Sequence, residues 1–369
     1  MDFALDETQQ ALVDGADRFL RDHYGFDQRR LRLAGQTGTD RAMWARFAEL
    51  GWPAVLVPEA QGGLGWSATA AALILGECGK ALVAEPVLEG AMVAAALLGG
   101  SPSPAAAAAL AGIADGSALV VPALLESGGR YAYDRPATRA ERTGAGWRLS
   151  GRKILVTGGD AADALLVTAR YDGGLGVFLV PTNRPGLARI PLRQLDGSWA
   201  ADIALDAVSV GADALLDTRG TFDQALDLGA IGVAAQQVGS LDRVLALTAD
   251  YLGTRRQFGQ PLAGFQSLQH AMADLFVETE MARSALHGGL AAMAGAPEER
   301  RLAVSAARVR CDRAGLKVAD LGIYLHGGMG MTMEYPVGHH YRRMVQLARS
   351  FGDSEYHLAR YEALAFAEA

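Results

Sequence analysis

The hydrophobic pattern changes period twice along the chain, near Ser117 and again after Thr218, and that switch constrains the fold more than any other feature. Up to Ser117 the apolar residues recur at helical spacing. Leu12, Val13, Ala16, Phe19 and Leu20 follow a capping-box pair, Asp6 and Gln9. Ala42 to Leu50 reads as a further helix ending at Gly51-Trp52-Pro53, and Pro58 to Gly65 as a glycine-rich loop. Ala68 to Lys80 is apolar almost all round, so it is expected to be a buried helix, and the alanine-rich run Pro104 to Ala114 favours helix. Between the two switches the pattern is that of strands: Ala118 to Leu125, Trp147 to Gly159 as strand, turn, strand, then Ala164 to Thr168, Gly176 to Val180 and Ile203 to Val210. These predict a small antiparallel sheet or barrel. After Thr218 four long helices are expected, at Phe222 to Leu252, Gln266 to Leu290, Glu298 to Gly322 and His339 to Leu364, forming a bundle. The predicted fold is mainly α with a central β-domain: an N-terminal helical domain over 1–116, a middle β-domain over 117–216 and a C-terminal helical bundle over 217–369.

Composition then excludes whole classes of function. The longest uninterrupted apolar run, Ala91 to Leu98, is far shorter than the roughly 20 residues that span a bilayer, so no membrane span is expected. Two cysteines, Cys78 and Cys311, make no disulfide framework, and Met1 to Asp6 lacks a basic region followed by an apolar core. The expectation is a cytoplasmic protein. A net charge of −7 argues against nucleic acid as a partner. No dinucleotide-binding Gly-x-Gly-x-x-Gly and no phosphate-binding Gly-x4-Gly-Lys-Ser/Thr is present, and the seven histidines show no metal-ligand spacing, so no metal site is expected.

Two segments carry candidate chemistry. Arg255-Arg256-Gln257-Phe258-Gly259-Gln260-Pro261-Leu262-Ala263-Gly264-Phe265-Gln266 lies between two predicted helices. It reads either as a helix C-terminus with basic residues at the negative dipole end and a Gly/Pro turn, or as an Arg and a polar side chain aimed at a phosphate with Phe258 beside a flat ring. The run His326-Gly327-Gly328-Met329-Gly330-Met331-Thr332-Met333-Glu334 is either a plain connection or a backbone concavity for an anion.

Together these segments resemble the acyl-CoA dehydrogenase family. So do Pro58-Glu59 with Gly62-Gly63 and Gly65, Gly151-x-Lys153-x-x-Val156-Thr157, and Phe178-Leu179-Val180-Pro181 followed by Pro185-Gly186. The resemblance runs in order along essentially the whole chain. It implies bound FAD, an acyl-CoA substrate, α,β-desaturation of the thioester and electron-transfer flavoprotein as electron acceptor. It also implies that the adenosine-diphosphate half of FAD is held, across a subunit boundary, by residues matching Arg255, Gln257, Phe258, Gln266, Gly327 and Gly328, with Thr157 in the β-domain as a further contact. Tyr324 stands where the family has a glutamine.

The chain departs from the pattern where chemistry is done. The β-domain Thr-Glu-x-x-x-Gly-Ser-Asp is replaced by the stretch Ala123-Leu124-Leu125-Glu126-Ser127-Gly128-Gly129-Arg130-Tyr131, in which only Glu126 is kept. The usual glutamate base falls at Phe351 and the alternative base position at Gly229, so neither can take a proton. Asp227 lies two residues, about 200° of helix, from the latter. Asp353 is the first choice for a relocated base, with Glu355 next; each also reads as an N-cap or a solvated carboxylate. With the ADP-half motifs kept and the flavin-ring and base motifs lost, the chain resembles the small subunits of heterotetrameric acyl-CoA dehydrogenases, pimeloyl-CoA dehydrogenase small subunits among them, acting in fatty acid or steroid catabolism. That implies a second acyl-CoA dehydrogenase subunit as partner. A homo-oligomer using Asp353, or a flavin-free scaffold, are the other readings.

Overall fold

The computed structural model describes residues 5–35, 38–172 and 174–366. Helices α1 (Glu7–His23), α2 (Phe26–Gly35), α3 (Arg41–Glu49), α4 (Ala68–Ala81), α5 (Ala94–Gly99) and α6 (Pro104–Ala114) come first. Strands β1 (Val120–Ala123), β2 (Arg139–Thr143), β3 (Gly146–Thr157), β4 (Ala164–Tyr171), β5 (Gly174–Pro181), β6 (Leu187–Arg193), β7 (Trp199–Gly211) and β8 (Leu215–Leu216) follow. The chain ends with α7 (Phe222–Thr254), a two-strand ribbon β9 (Arg256–Gln257) and β10 (Gln260–Pro261), then α8 (Gln266–Ala291), α9 (Pro297–His326), α10 (Pro336–Leu347) and α11 (Ser354–Ala365). The mainly helical chain with a central sheet matches the predicted class. No helix among the described residues is long and apolar enough to cross a membrane.

By packing, the chain forms two compact units: residues 1–32, 72–83 and 230–369 in one, and 33–71 and 84–229 in the other. The second holds one sheet in the order β6-β7-β3-β2-β4-β5-β8, with β1 on β4. The sheet is mixed, because β1 and β2 both run parallel to β4, where the strand pattern predicts a small antiparallel sheet or barrel. Its core is built from Leu149, Leu165, Val167, Phe178 and Ile203, all buried, and the central strand β4 is buried on both faces from Leu165 to Ala169. Trp147 to Thr157 is a single strand and not strand, turn, strand. Register shifts at Leu149/Gly151 and Lys153/Val156 absorb the glycine as a bulge, with Leu155 at φ +51°.

In the first unit α8 and α9 run antiparallel. Glu278 pairs with both Arg310 and Lys317, and Gly289 faces Ala307. Asp242 of α7 pairs with Arg283 of α8 and Gly289 of α8 faces Ile231 of α7, so these two helices are antiparallel as well. The helix predicted over His339 to Leu364 is two helices: Phe351 (φ +53°) and Gly352 (φ +100°) take left-handed backbone, and Asp353 starts α11 as its N-cap.

The α4 and α7 backbones cross at near contact. A Cβ on Gly239 would lie 1.9 Å from the Gly76 carbonyl oxygen, and one on Gly79 would lie 2.0 Å from that of Gln236. Only a shift of a helix could relieve either clash. Gly239→Ala is therefore expected to cost about 1–3 kcal/mol, read as a lower denaturation midpoint, despite alanine's better helix propensity.

Candidate active site

The antiparallel order of α7, α8 and α9 carries both candidate segments to one end of the bundle. Arg255 directly follows α7, Gln266 begins α8, and His326 ends α9 with Gly327-Gly328 just beyond it. The first segment is a β-hairpin and not a plain helix-terminal turn. Gln257 faces Gln260 across a two-residue loop in which Phe258 (φ +52°) and Gly259 (φ +83°) are both left-handed, the geometry that matches strand twist. Arg255 anchors the hairpin through its carbonyl, which accepts from Leu262 N at 2.8 Å. The turn holds Phe258 out into solvent at 90 % exposure, with its ring edge on Phe265. Arg255, Gln257 and Gln266 are exposed beside it.

At the end of α9 the His326 ring is buried and stacked on Tyr251 at 4.5 Å, and its Nδ1–H donates to the Gly322 carbonyl at 2.7 Å. Burial lowers its basicity below the ordinary range. Gly327 (φ +57°) ends the helix. A Cβ on Gly327 or Gly328 would meet nothing within 4 Å, whereas one on Gly330 would strike the Ile323 carbonyl at 2.7 Å. The first two glycines thus leave open backbone that a ligand can approach, and the third serves packing. Tyr324 (77 % exposed) and Met331 (73 %) stand out beside them. Exposed cationic and amide side chains, open glycine backbone and a projecting aromatic ring are a donor set suited to a diphosphate with an attached flat ring.

The positions expected for the base are Phe351 and Gly229. Phe351 lies in the connection between α10 and α11. Its carbonyl accepts from His357 Nε2 at 3.0 Å, and burial pushes the His357 imidazole down to about 3, so it serves as a neutral donor. Arg308 of α9, fully buried, donates through Nη2 to the carbonyls of Gly352 (2.9 Å), Ser350 (3.2 Å) and Leu347 (3.4 Å), and through Nη1 to Asp312 Oδ1 (2.7 Å) and Gln237 Oε1 (3.0 Å). The other Asp312 oxygen accepts from Ser354 Oγ at 3.2 Å. Asp353 Oδ1 accepts from Tyr356 N at 2.9 Å, capping α11, and Glu355 is exposed in that helix's first turn. Gly229 and Asp227 are both buried in the stretch of α7 that belongs to the second unit. The Arg308–Asp312–Gln237 cluster was not singled out from the sequence. Its only sequence signal is an Arg–Asp pair at i, i+4 on α9, a pattern usually found on solvated faces.

In the second unit Thr157 ends β3, half-buried. Glu126, the survivor of the family's β-domain motif, is occupied structurally. It accepts from Lys153 Nζ at 2.6 Å and from the backbone N–H of Thr138 (3.1 Å) and of Ala137. Burial works to raise its carboxyl, but these donors outweigh it and hold it below the usual range. Lys153 is buried, also donates to Thr168 Oγ1 at 2.8 Å, and is pushed by burial down to about 8. The triad pins the loop before β2. Among the described residues no group of three or more His, Cys, Asp or Glu side chains gathers to hold a metal ion.

Comparison with known proteins gives the same family at every level. Three family models match in order: acyl-CoA dehydrogenase, N-terminal domain over residues 6–116, middle domain over 123–208 and C-terminal domain over 220–363. The acyl-CoA dehydrogenase FadE27 of Mycobacterium tuberculosis is 30% identical over 334 residues, covering 87% of each chain. Among solved structures, the ChsE4-ChsE5 complex from Mycobacterium tuberculosis superposes over the whole of both chains with a TM-score of 0.92 at 28% identity. A variant of the Tcur3481-Tcur3483 steroid ACAD matches with a TM-score of 0.89 at 30% identity over 98% of each chain. With all three domains matched and a relative of this identity spanning nearly its full length, the chain belongs to the acyl-CoA dehydrogenase family.

Proposed function

We propose that this chain is the base-less subunit of a heteromeric, FAD-dependent acyl-CoA dehydrogenase of the cytoplasm, with domains at 1–116, 117–216 and 217–369, and that it completes the ADP half of a partner subunit's FAD site. The carrying observation is a contrast among three connections of the first unit. The Arg255–Phe258 hairpin and Gly327-Gly328 present open, ligand-ready groups, while the base loop is locked by Arg308 around a phenylalanine. Two of the structural neighbours bear two-component names, ChsE4-ChsE5 and Tcur3481-Tcur3483, which supports a heteromer; the second is called a steroid ACAD, which supports a steroid-derived acyl-CoA as substrate.

FAD, when bound, supplies the acceptor for the β-hydride. This chain's part is to hold and orient it. The Arg255 guanidinium and Gln257 amide would bond the diphosphate, Gly327 and Gly328 would admit it against bare backbone, and Phe258 would cover the adenine side. Removal of the α-proton falls to a carboxylate of the partner subunit, and electron-transfer flavoprotein takes the electrons onward. The homomeric alternative with Asp353 as base has no observation in its favour, since that carboxylate already serves as the cap of α11.

The test is substitution in the co-purified enzyme. Arg255→Ala removes a charge-assisted bond and is expected to weaken FAD retention about 10–100-fold, followed by flavin fluorescence on dilution. Asp353→Asn keeps an N-cap and is expected to leave turnover unchanged. FAD affinity unmoved by Arg255→Ala, or turnover abolished by Asp353→Asn, would reject the assignment.

A further inference from the structure

Helices α1, α4, α7 and α10 of the first unit enclose a cleft of about 340 Å³, within the size range of small-molecule sites. Two ion pairs on its walls are closed. The buried Glu77 accepts from Lys80 Nζ at 2.6 Å, and Asp17 pairs with Arg21 at 3.3 Å on the exposed rim. His340 adds no charge. It is buried, its Nδ1 sits 2.6 Å from Ser240 Oγ, and burial pushes its imidazole down to about 3. Arg243 of α7 is the charge left over: it lines the cleft and makes no hydrogen bond or ion pair among the described residues. The rest of the wall is mainly apolar, from Leu20, Tyr24, Phe26, Ala81, Leu82 and Pro336.

We propose that this cleft is a binding site for a small organic monocarboxylate, its carboxylate forked on the Arg243 guanidinium and its apolar body against Leu20, Leu82 and Pro336. One surplus positive charge matches one negative charge. A phosphate dianion would bring its second charge against Glu77 and Asp17 in a half-apolar cleft. The site is separate from the ADP-half groups, because Arg243 lies twelve residues before Arg255 at the end of α7, about 18 Å of axial rise. The proposal stands whether or not the subunit reading above holds.

Calorimetric titration of the full chain with benzoate tests it, with inorganic phosphate as the competing anion. Saturable one-to-one binding at about 1 mM is expected, weakened at least about tenfold by Arg243→Gln. Arg243→Lys, which keeps the charge but loses the fork, is expected to lie between them. Unchanged melting of Arg243→Gln separates lost binding from lost folding; a variant that melts early passes the decision to Arg243→Lys. Absence of saturable binding up to about 10 mM, benzoate affinity insensitive to both Arg243 variants, or phosphate binding as tightly as benzoate would each overturn the proposal.

Discussion

Purified without a partner, the chain is expected to reduce flavin with acyl-CoA about 10²–10⁴-fold more slowly than a two-subunit enzyme, the usual contribution of a positioned general base. The thioester α-proton is weakly acidic, and a carboxylate has to meet it in the transition state. On the proposed reading the base loop presents Phe351, and Gly229 stands at the alternative position. Nor can the loop readily deliver a neighbour in its place. The Arg308 guanidinium holds two of its carbonyls and that of Leu347 at the end of α10, His357 holds Phe351, and Asp353 is turned to the first turn of α11. Anaerobic mixing with acyl-CoA, following loss of flavin absorbance, measures the rate directly. Full-rate reduction by the isolated chain would refute the base-less assignment.

Replacing Arg308 with methionine is expected to lower stability by about 3–5 kcal/mol, measured from the denaturant midpoint. Arg308 and Asp312 are both fully buried, so the substitution strands the carboxylate without its partner and leaves the carbonyls of Ser350 and Gly352 without their donor. The deficit has a signed pH dependence. Burial pushes the Asp312 carboxyl up, while Arg308, Gln237 and Ser354 pull it back, and the net shift is upward. A carboxyl raised in the folded state favours folding most below its unfolded value and loses that contribution as pH rises through the folded value. Without Arg308 the folded value climbs further, so the deficit of the variant is expected to be widest at neutral pH and to narrow as pH falls toward 4. Arg308→Met combined with Asp312→Leu removes both charges and is expected to regain part of the loss. An additive double variant would show that the two charges do not act as a pair.

Local pattern was enough for much of this architecture. The Asp6/Gln9 capping box, the helix over Pro104–Ala114 and the strand alternation around Ile203 follow from neighbouring residues alone, and each stands in the structure. The family was legible for the same reason, since Arg255 to Gln266 and His326 to Glu334 are contiguous motifs. Errors fell where a distant residue decides the backbone. The Ser150-Gly151 pair reads as a turn, but β7 on one side and Thr138 packed against Gly151 on the other make it a bulge in one long strand. Helical spacing runs through His339 to Leu364, yet the helix breaks at Phe351 because a guanidinium more than forty residues upstream satisfies the carbonyls that the break sets free.

By itself, then, the sequence determined the order of helical and β regions, the family, and which motifs are kept or lost, because these rest on short-range periodicity and on contiguous residue identity. Only the tertiary structure decided that Glu126 is consumed by Lys153 and the loop before β2, that Asp353 is a cap, and that an uncompensated Arg243 faces a cleft beside two closed ion pairs. Those outcomes depend on which partners arrive from other helices and strands. A buried polar group takes the partner that folding brings within hydrogen-bond reach, and no local pattern encodes that choice.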